Sequence, residues 1–143
     1  MIKVKILNEH GSNSLVRGST NAVGYDVASA EPHTRLDPGE SKLFSTGIAL
    51  EMPAGIECQV RPRSGFSIKN HVIIPNSPGT LDPDFRGEVK VCLMNLGHKA
   101  VLVEQGQRIA QLVFNRVHLP EFEFVDELSD TKRGAGGFGS TGK

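Results

Sequence analysis

Five glycines fall among the last eleven residues, RGAGGFGSTGK at 133–143. Gly134-x-Gly136-x-x-Gly139 has the spacing of a dinucleotide-binding turn, and the Gly134 to Gly139 interval is that of a P-loop. Both motifs draw phosphate-binding amides from a helix that follows them. Four residues remain after Gly139, and Ser140 stands where the P-loop lysine would be, so neither motif is complete. Two readings stay open for the segment. It is either a flexible glycine-rich end or a chain that wraps closely around a phosphate ligand.

Other residues suited to chemistry lie upstream. Arg63-Ser64-Gly65, within the basic stretch RPRSGFSIK (61–69), offers forked guanidinium donors, a hydroxyl and an accessible amide. Asp82 and Asp84 lie in NSPGTLDPDFRGE (76–88); a carboxylate there suits the orienting of a water, and Asp82-Pro83 equally suits a turn. Asp26 belongs to NAVGYDVASA (21–30), and Gln111 to GQRIAQLV (106–113). The five histidines are scattered, and neither HExxH nor an HxE with PCxxC occurs, which excludes those zinc motifs. Cys58 and Cys92 are too few for a disulfide framework and read as buried thiols in strands.

Elements that would position these residues are mostly strands. IKVKI (2–6) and IECQV (56–60) alternate strictly, and VKVCLM (89–94), AVLV (100–103), RIAQLVF (108–114) and FEFV (122–125) are short apolar or alternating runs. Turn chemistry separates them at LDPGE (36–40), MPAG (52–55), NLGH (95–98) and EQGQ (104–107). Only SGFSIKNH (64–71) has room for a turn or two of helix. The expectation is an all-β sandwich, jelly roll or small barrel whose irregular segments carry the chemistry.

With 143 residues the chain forms one domain with a real core. Sixteen basic and sixteen acidic residues cancel, so global charge points to neither nucleic acid nor an anionic membrane. The acidic run EFEFVDELSD (121–130) reads as solvated surface. No apolar run reaches membrane-spanning length and no signal-peptide pattern opens the sequence, so the expectation is a soluble, cytoplasmic protein.

Taken in order, the five irregular segments resemble the five motifs of the trimeric deoxyuridine triphosphatases (dUTPases), from Ala22 to Gly142. The resemblance implies a jelly-roll or distorted β-barrel fold, a homotrimer with sites shared between subunits, and Mg²⁺-dependent hydrolysis of dUTP to dUMP and pyrophosphate. That activity keeps uracil out of DNA and supplies dUMP for thymidylate synthesis. It also implies two parts: a β domain over 1–132 and a flexible phosphate-binding lid over 133–143. Asp82 would be the catalytic group that activates water, with Asp84 outside that role. Asn76, with Gly79, Thr80, Leu81 and Lys90 beside it, would form a hairpin accepting uracil. Phe85 replaces the family's usual tyrosine and would lie against the deoxyribose. Arg63, Ser64, Gly65 and Gln111 would bind phosphates, and Arg108 would pair with an acidic residue at a subunit contact. Arg133 would meet the terminal phosphate, Phe138 would stack on uracil, and Gly139, Ser140 and Thr141 would contact phosphates. Asp26 would reach the metal through water, and Tyr25 would be structural. Two alternatives share the scaffold: a dCTP deaminase-like enzyme, and a non-catalytic nucleotide-sensing trimer.

Overall fold

The computed structural model describes residues 1–137. Ten strands run in the order β1 (Lys3–Ile6), β2 (Gly24–Ala28), β3 (Thr34–Leu36), β4 (Ser41–Glu51), β5 (Ile56–Pro62), β6 (Val72–Ile73), β7 (Gly79–Leu81), β8 (Glu88–Asn95), β9 (Val101–Val103) and β10 (Arg108–Arg116). One helix, α1 (Ser64–Asn70), follows β5, and a 3-10 turn spans Glu9–Asn13. Two four-stranded antiparallel sheets, β1-β4-β8-β6 and β2-β10-β5-β7, are joined by the ribbon β3-β9. This all-β architecture meets the sequence expectation, and the helix forms where the only helical room was found.

The core lies between the sheets. Phe44, Ile48, Val89, Val91 and Leu93 face inward from one sheet, and Val27, Val60, Ile109 and Leu112 from the other. Each such side chain contributes about 1.5–3 kcal/mol by leaving water. Alternation along β8 shows the pattern directly: Val89, Val91 and Leu93 are buried while the residues between them are not. Polar groups enter the interior too, Ser29, Thr46 and Asn95 among them. Asn95 is fully buried, yet its amide donates to the Leu36 and Lys99 carbonyls and accepts from the Gly97 N–H. Every donor and acceptor of that side chain is used, so its burial carries little desolvation penalty.

Strand β4 departs from the sequence reading, which found no strand there. Its register against β8 shifts between Ser45 and Ala49, and residues 46–50 are buried in succession, so the period of two is lost. Gly47 takes a φ of 73° at this irregularity. Its N–H donates to Glu88 Oε1 while the Ser45 hydroxyl donates to Glu88 Oε2, so one carboxylate closes the bulge.

Three further expectations are corrected. FEFV (122–125) forms no strand: the described chain beyond β10 has no regular element, and Phe122 and Phe124 are 81% and 97% exposed. Alternation supplies strand propensity, but a strand also needs a neighbour to pair with, and among the described residues there is none at that place. The expected uracil-accepting hairpin is instead a crossing turn. β7 pairs with β5 in one sheet, and β8 pairs with β4 and β6 in the other. Cys92 is only half-buried, whereas Cys58 is enclosed as expected.

Burial pushes the Cys58 thiol up from 9.0 to about 12, with the Glu57 charge adding to the effect. As pH rises between those values the unfolded thiol ionises and the folded one does not, so Cys58 makes stability fall with pH in that window. Below 9.0 both states hold the proton and the group contributes no pH dependence. Iodoacetamide at pH 8 should leave Cys58 unlabelled in the folded protein and alkylate it after denaturation. Mass spectrometry of the two digests checks this; labelling of the folded protein at Cys58 would contradict it.

Candidate functional site

Sheet register collects the polar residues. In antiparallel pairing, directly opposed residues point to the same face. Gln111 on β10 lies opposite Asp26 on β2 and opposite Arg61 on β5, which makes one row of three. The next row runs from Gly24 through Val113 and Gln59 to Thr80. Because side chains alternate along each strand, the intervening Tyr25, Leu112, Val60 and Gly79 turn toward the core. One face of this sheet is therefore apolar and packed, and the other carries Asp26, Gln111, Arg61, Gln59 and Thr80.

Asp26 is the hub of that face. Its Oδ1 is 2.9 Å from Arg63 Nε, and its Oδ2 is 3.1 Å from Arg108 Nη1. Arg63 also donates from Nη1 to the Arg108 carbonyl at 2.9 Å. Three segments are thereby tied at one carboxylate that is only 15% exposed. One negative and two positive groups leave an excess positive charge. A guanidinium has five N–H donors, and two of those of Arg63 are engaged here, so three stay available to an anion. Arg108 was expected to meet its acidic partner at a subunit contact. Within its own chain it pairs with Asp26, because the β2–β10 pairing brings the two together.

Ser64 and Gly65 open α1, with Arg63 at the cap position in extended conformation and no side-chain cap. Ser64 and Gln111, with Gln59, Arg61, Pro62, Ser77 and Pro78, line a cleft of about 490 Å³. Arg63 and Gly65 face a second cleft of about 440 Å³, with Lys69, Gln107 and Arg108 among its walls. Gln111 is held in place twice: its Nε2 donates to the Pro62 carbonyl, and its Oε1 occupies the space where any side chain at residue 24 would begin. A side chain at 24 would therefore displace the Gln111 carboxamide.

Gln59 and Arg61 were not singled out from the sequence. Arg61 donates through Nε and Nη2 to Gln59 Oε1, and Gln59 donates to Glu57 Oε1, a polar line along β5 at every second residue. The signal was present in the alternation of IECQVRP, where Glu57, Gln59 and Arg61 share one face.

The second group of expected residues follows α1. Asn76 packs beside Gly79, where an added Cβ would lie 3.1 Å from its Nδ2. Gly79, Thr80 and Leu81 form β7, Asp82 and Phe85 lie on the turn that follows, and Lys90 projects from β8. Asp82 is exposed, and the Phe85 N–H donates to the Asp82 carbonyl at 3.2 Å. Neither of the two clefts is lined by Asp82, Phe85 or Lys90. Ser77 and Pro78, from the segment between Asn76 and Gly79, join Ser64 and Gln111 at the first cleft. Arg133 turns back on its own segment, donating from Nε to the Gly136 carbonyl. Phe138, Gly139, Ser140 and Thr141 lie outside the described residues.

The described residues contain no group of three His, Cys, Asp or Glu side chains placed to hold a metal ion. Both Asp26 oxygens face guanidinium groups. The described residues thus offer no carboxylate cage, and a cation at this face would take most of its ligands from phosphate oxygens and water.

Comparisons with known proteins identify relatives of this chain. The dUTPase family model matches residues 11–142. The deoxyuridine 5'-triphosphate nucleotidohydrolase of Bdellovibrio bacteriovorus is 48% identical over 144 residues, 99% of this chain and 96% of the relative. Its counterpart from Solibacter usitatus is 48% identical over 126 residues, 88% of this chain and 84% of that one. The dUTPase of Staphylococcus bacteriophage 80alpha with dUPNHPP has a TM-score of 0.90 at 28% identity, covering 100% of this chain and 99% of its own. A family match over most of the length, with relatives 48% identical over 126 to 144 residues, shows that this chain belongs to the dUTPase family of dUTP-hydrolysing enzymes.

Proposed function

We propose that the chain hydrolyses dUTP to dUMP and pyrophosphate by attack of an Asp82-oriented water on the α-phosphate, as a homotrimer using Mg²⁺. The observation that carries this reading is the Asp26 hub, which holds Arg63 and Arg108 beside Ser64 and Gln111 with an excess positive charge. A triphosphate is the polyanion that such a surface suits. Phosphoryl-type transfer depends mostly on positioning and charge stabilisation, and a clamped guanidinium supplies both without reorganising.

The residues take these roles. Arg63, Ser64, Gly65 and Gln111 bind phosphate oxygens, while Asn76, Gly79, Thr80, Leu81 and Lys90 frame the uracil. Phe85 borders the deoxyribose. Arg133, Phe138, Gly139, Ser140 and Thr141 belong to a lid over 133–143 that closes on the nucleotide, and residues 1–132 form the β domain. Mg²⁺ would neutralise charge on the triphosphate when bound, with Asp26 reaching it through water. The dUTPase of phage phi11, which shares the fold, coordinates a structural Mg(II) ion. On this reading each site is completed by residues of neighbouring copies of the chain. The reading carries with it a cytoplasmic location and no stable partner other than dUTP and the trimer; no helix of the described residues is long and apolar enough to cross a membrane.

A four-substrate assay tests the reading. With dUTP, dCTP, dTTP and UTP plus Mg²⁺, pyrophosphate should form from dUTP alone. Ammonia from dCTP would indicate the deaminase, and binding without turnover the sensor. Asp82→Asn should retain dUTP binding and lose roughly 10²- to 10⁴-fold in kcat; a near-native rate would remove Asp82 from its role. Asp26→Asn leaves two guanidinium groups facing each other without their counter-charge. It should cost about 1–3 kcal/mol in stability and raise KM for dUTP, measured by thermal melts and steady-state kinetics. Deletion of 133–143 should leave a folded trimer with severely reduced turnover, and a fully active truncation would refute the lid.

A further inference from the structure

Phe85 stands on the 82–87 turn with 45% of its surface exposed. The turn backbone is braced locally. The Phe85 N–H donates to the Asp82 carbonyl, and Arg86 Nη1 donates to the carbonyls of Pro83 and Phe85 at 2.7 and 3.1 Å. With the backbone held, what remains to be set is the direction of the ring.

Gly87 sets it. A Cβ placed on Gly87 would fall 2.5 Å from Phe85 Cζ, 2.9 Å from Cε2 and 3.4 Å from Cε1. The outer edge of the ring therefore lies against the Gly87 α-carbon, in a volume that every other residue type would fill. Gly87 is not among the glycines with positive φ, so the backbone alone does not call for glycine here. The requirement comes from the ring. Because the group met is the end of a side chain, a larger residue at 87 would turn the ring aside and leave the fold standing.

We propose that Gly87 is a specificity-positioning residue: its missing side chain seats the Phe85 ring, and through the ring it governs exclusion of a 2'-hydroxyl. The inference rests on the reading that Phe85 borders the deoxyribose. It assigns Gly87 no contact with the nucleotide. Rejection of a ribonucleotide by an aromatic ring is steric, so a displaced ring admits the extra hydroxyl without creating new attraction for dUTP.

The test is a double-mutant cycle of wild type, Gly87→Ala, Phe85→Ala and the double variant, each assayed for kcat/KM on dUTP and UTP and melted thermally. Gly87→Ala should lower the dUTP:UTP ratio roughly tenfold, equivalent to ~1.4 kcal/mol. In the Phe85→Ala background the same change should have no further effect. An unchanged ratio in Gly87→Ala beside a lowered ratio in Phe85→Ala overturns the role of Gly87 and leaves that of Phe85 intact. An unchanged ratio in Phe85→Ala removes the underlying reading instead. Melting gives an arm independent of activity. Any loss of Tm caused by Gly87→Ala should vanish once the ring is gone, and an equal loss in both backgrounds, including failure of both to fold, refutes the seat.

Discussion

A single carboxylate, that of Asp26, decides how the polar face of the molecule is organised. Two guanidinium groups that would otherwise repel are held around it, one from the start of α1 and one from β10. Asp26 is largely shielded from water and Arg63 partly so, while Arg108 stays 46% exposed, so the pair with Arg63 is the less screened of the two. Arg63 is therefore held in place by contacts within its own chain. In the same way, the β2–β10–β5 register places Gln111 and Arg61 in line with Asp26.

The second sheet follows a comparable principle by different means. Glu88 occupies the irregularity in β4 and accepts from both Ser45 and Gly47, which lets the strand change register without leaving donors unpaired. Asn95 does the same for the junction of β8 with the β3–β9 ribbon. Both are polar groups placed where backbone hydrogen bonding is interrupted. The turn from β7 to β8, which carries Asp82 and Phe85, runs between the two sheets and is anchored by strands of each.

Much of this was legible in the residues. β1, β5, β8, β9 and β10 follow from alternation and from the turns between them, and the all-β class follows from their number. β4 was not legible, because its bulge places buried residues side by side and erases the period. β6 and β7 are two and three residues long, too short for periodicity to register. FEFV (122–125) misled in the opposite direction, since alternation records a preference and says nothing of whether a pairing strand exists. At the candidate site, the residue types could be named from motifs. The contact of Asp26 with Arg108, 82 positions away, exists only once β2 and β10 are paired.

The contact between Gly24 and Gln111 has a consequence for how such a sequence can vary. The two positions are coupled in space, although no local pattern links them. A Cβ introduced at 24 would fall 2.0 Å from Gln111 Oε1, so the glutamine side chain must swing aside to admit it. Shortening the glutamine abandons its bond to the Pro62 carbonyl and opens a gap in the row of polar side chains. A substitution on β2 is thus felt on β10, and the polar row carries the disturbance across strands that sequence alone keeps far apart.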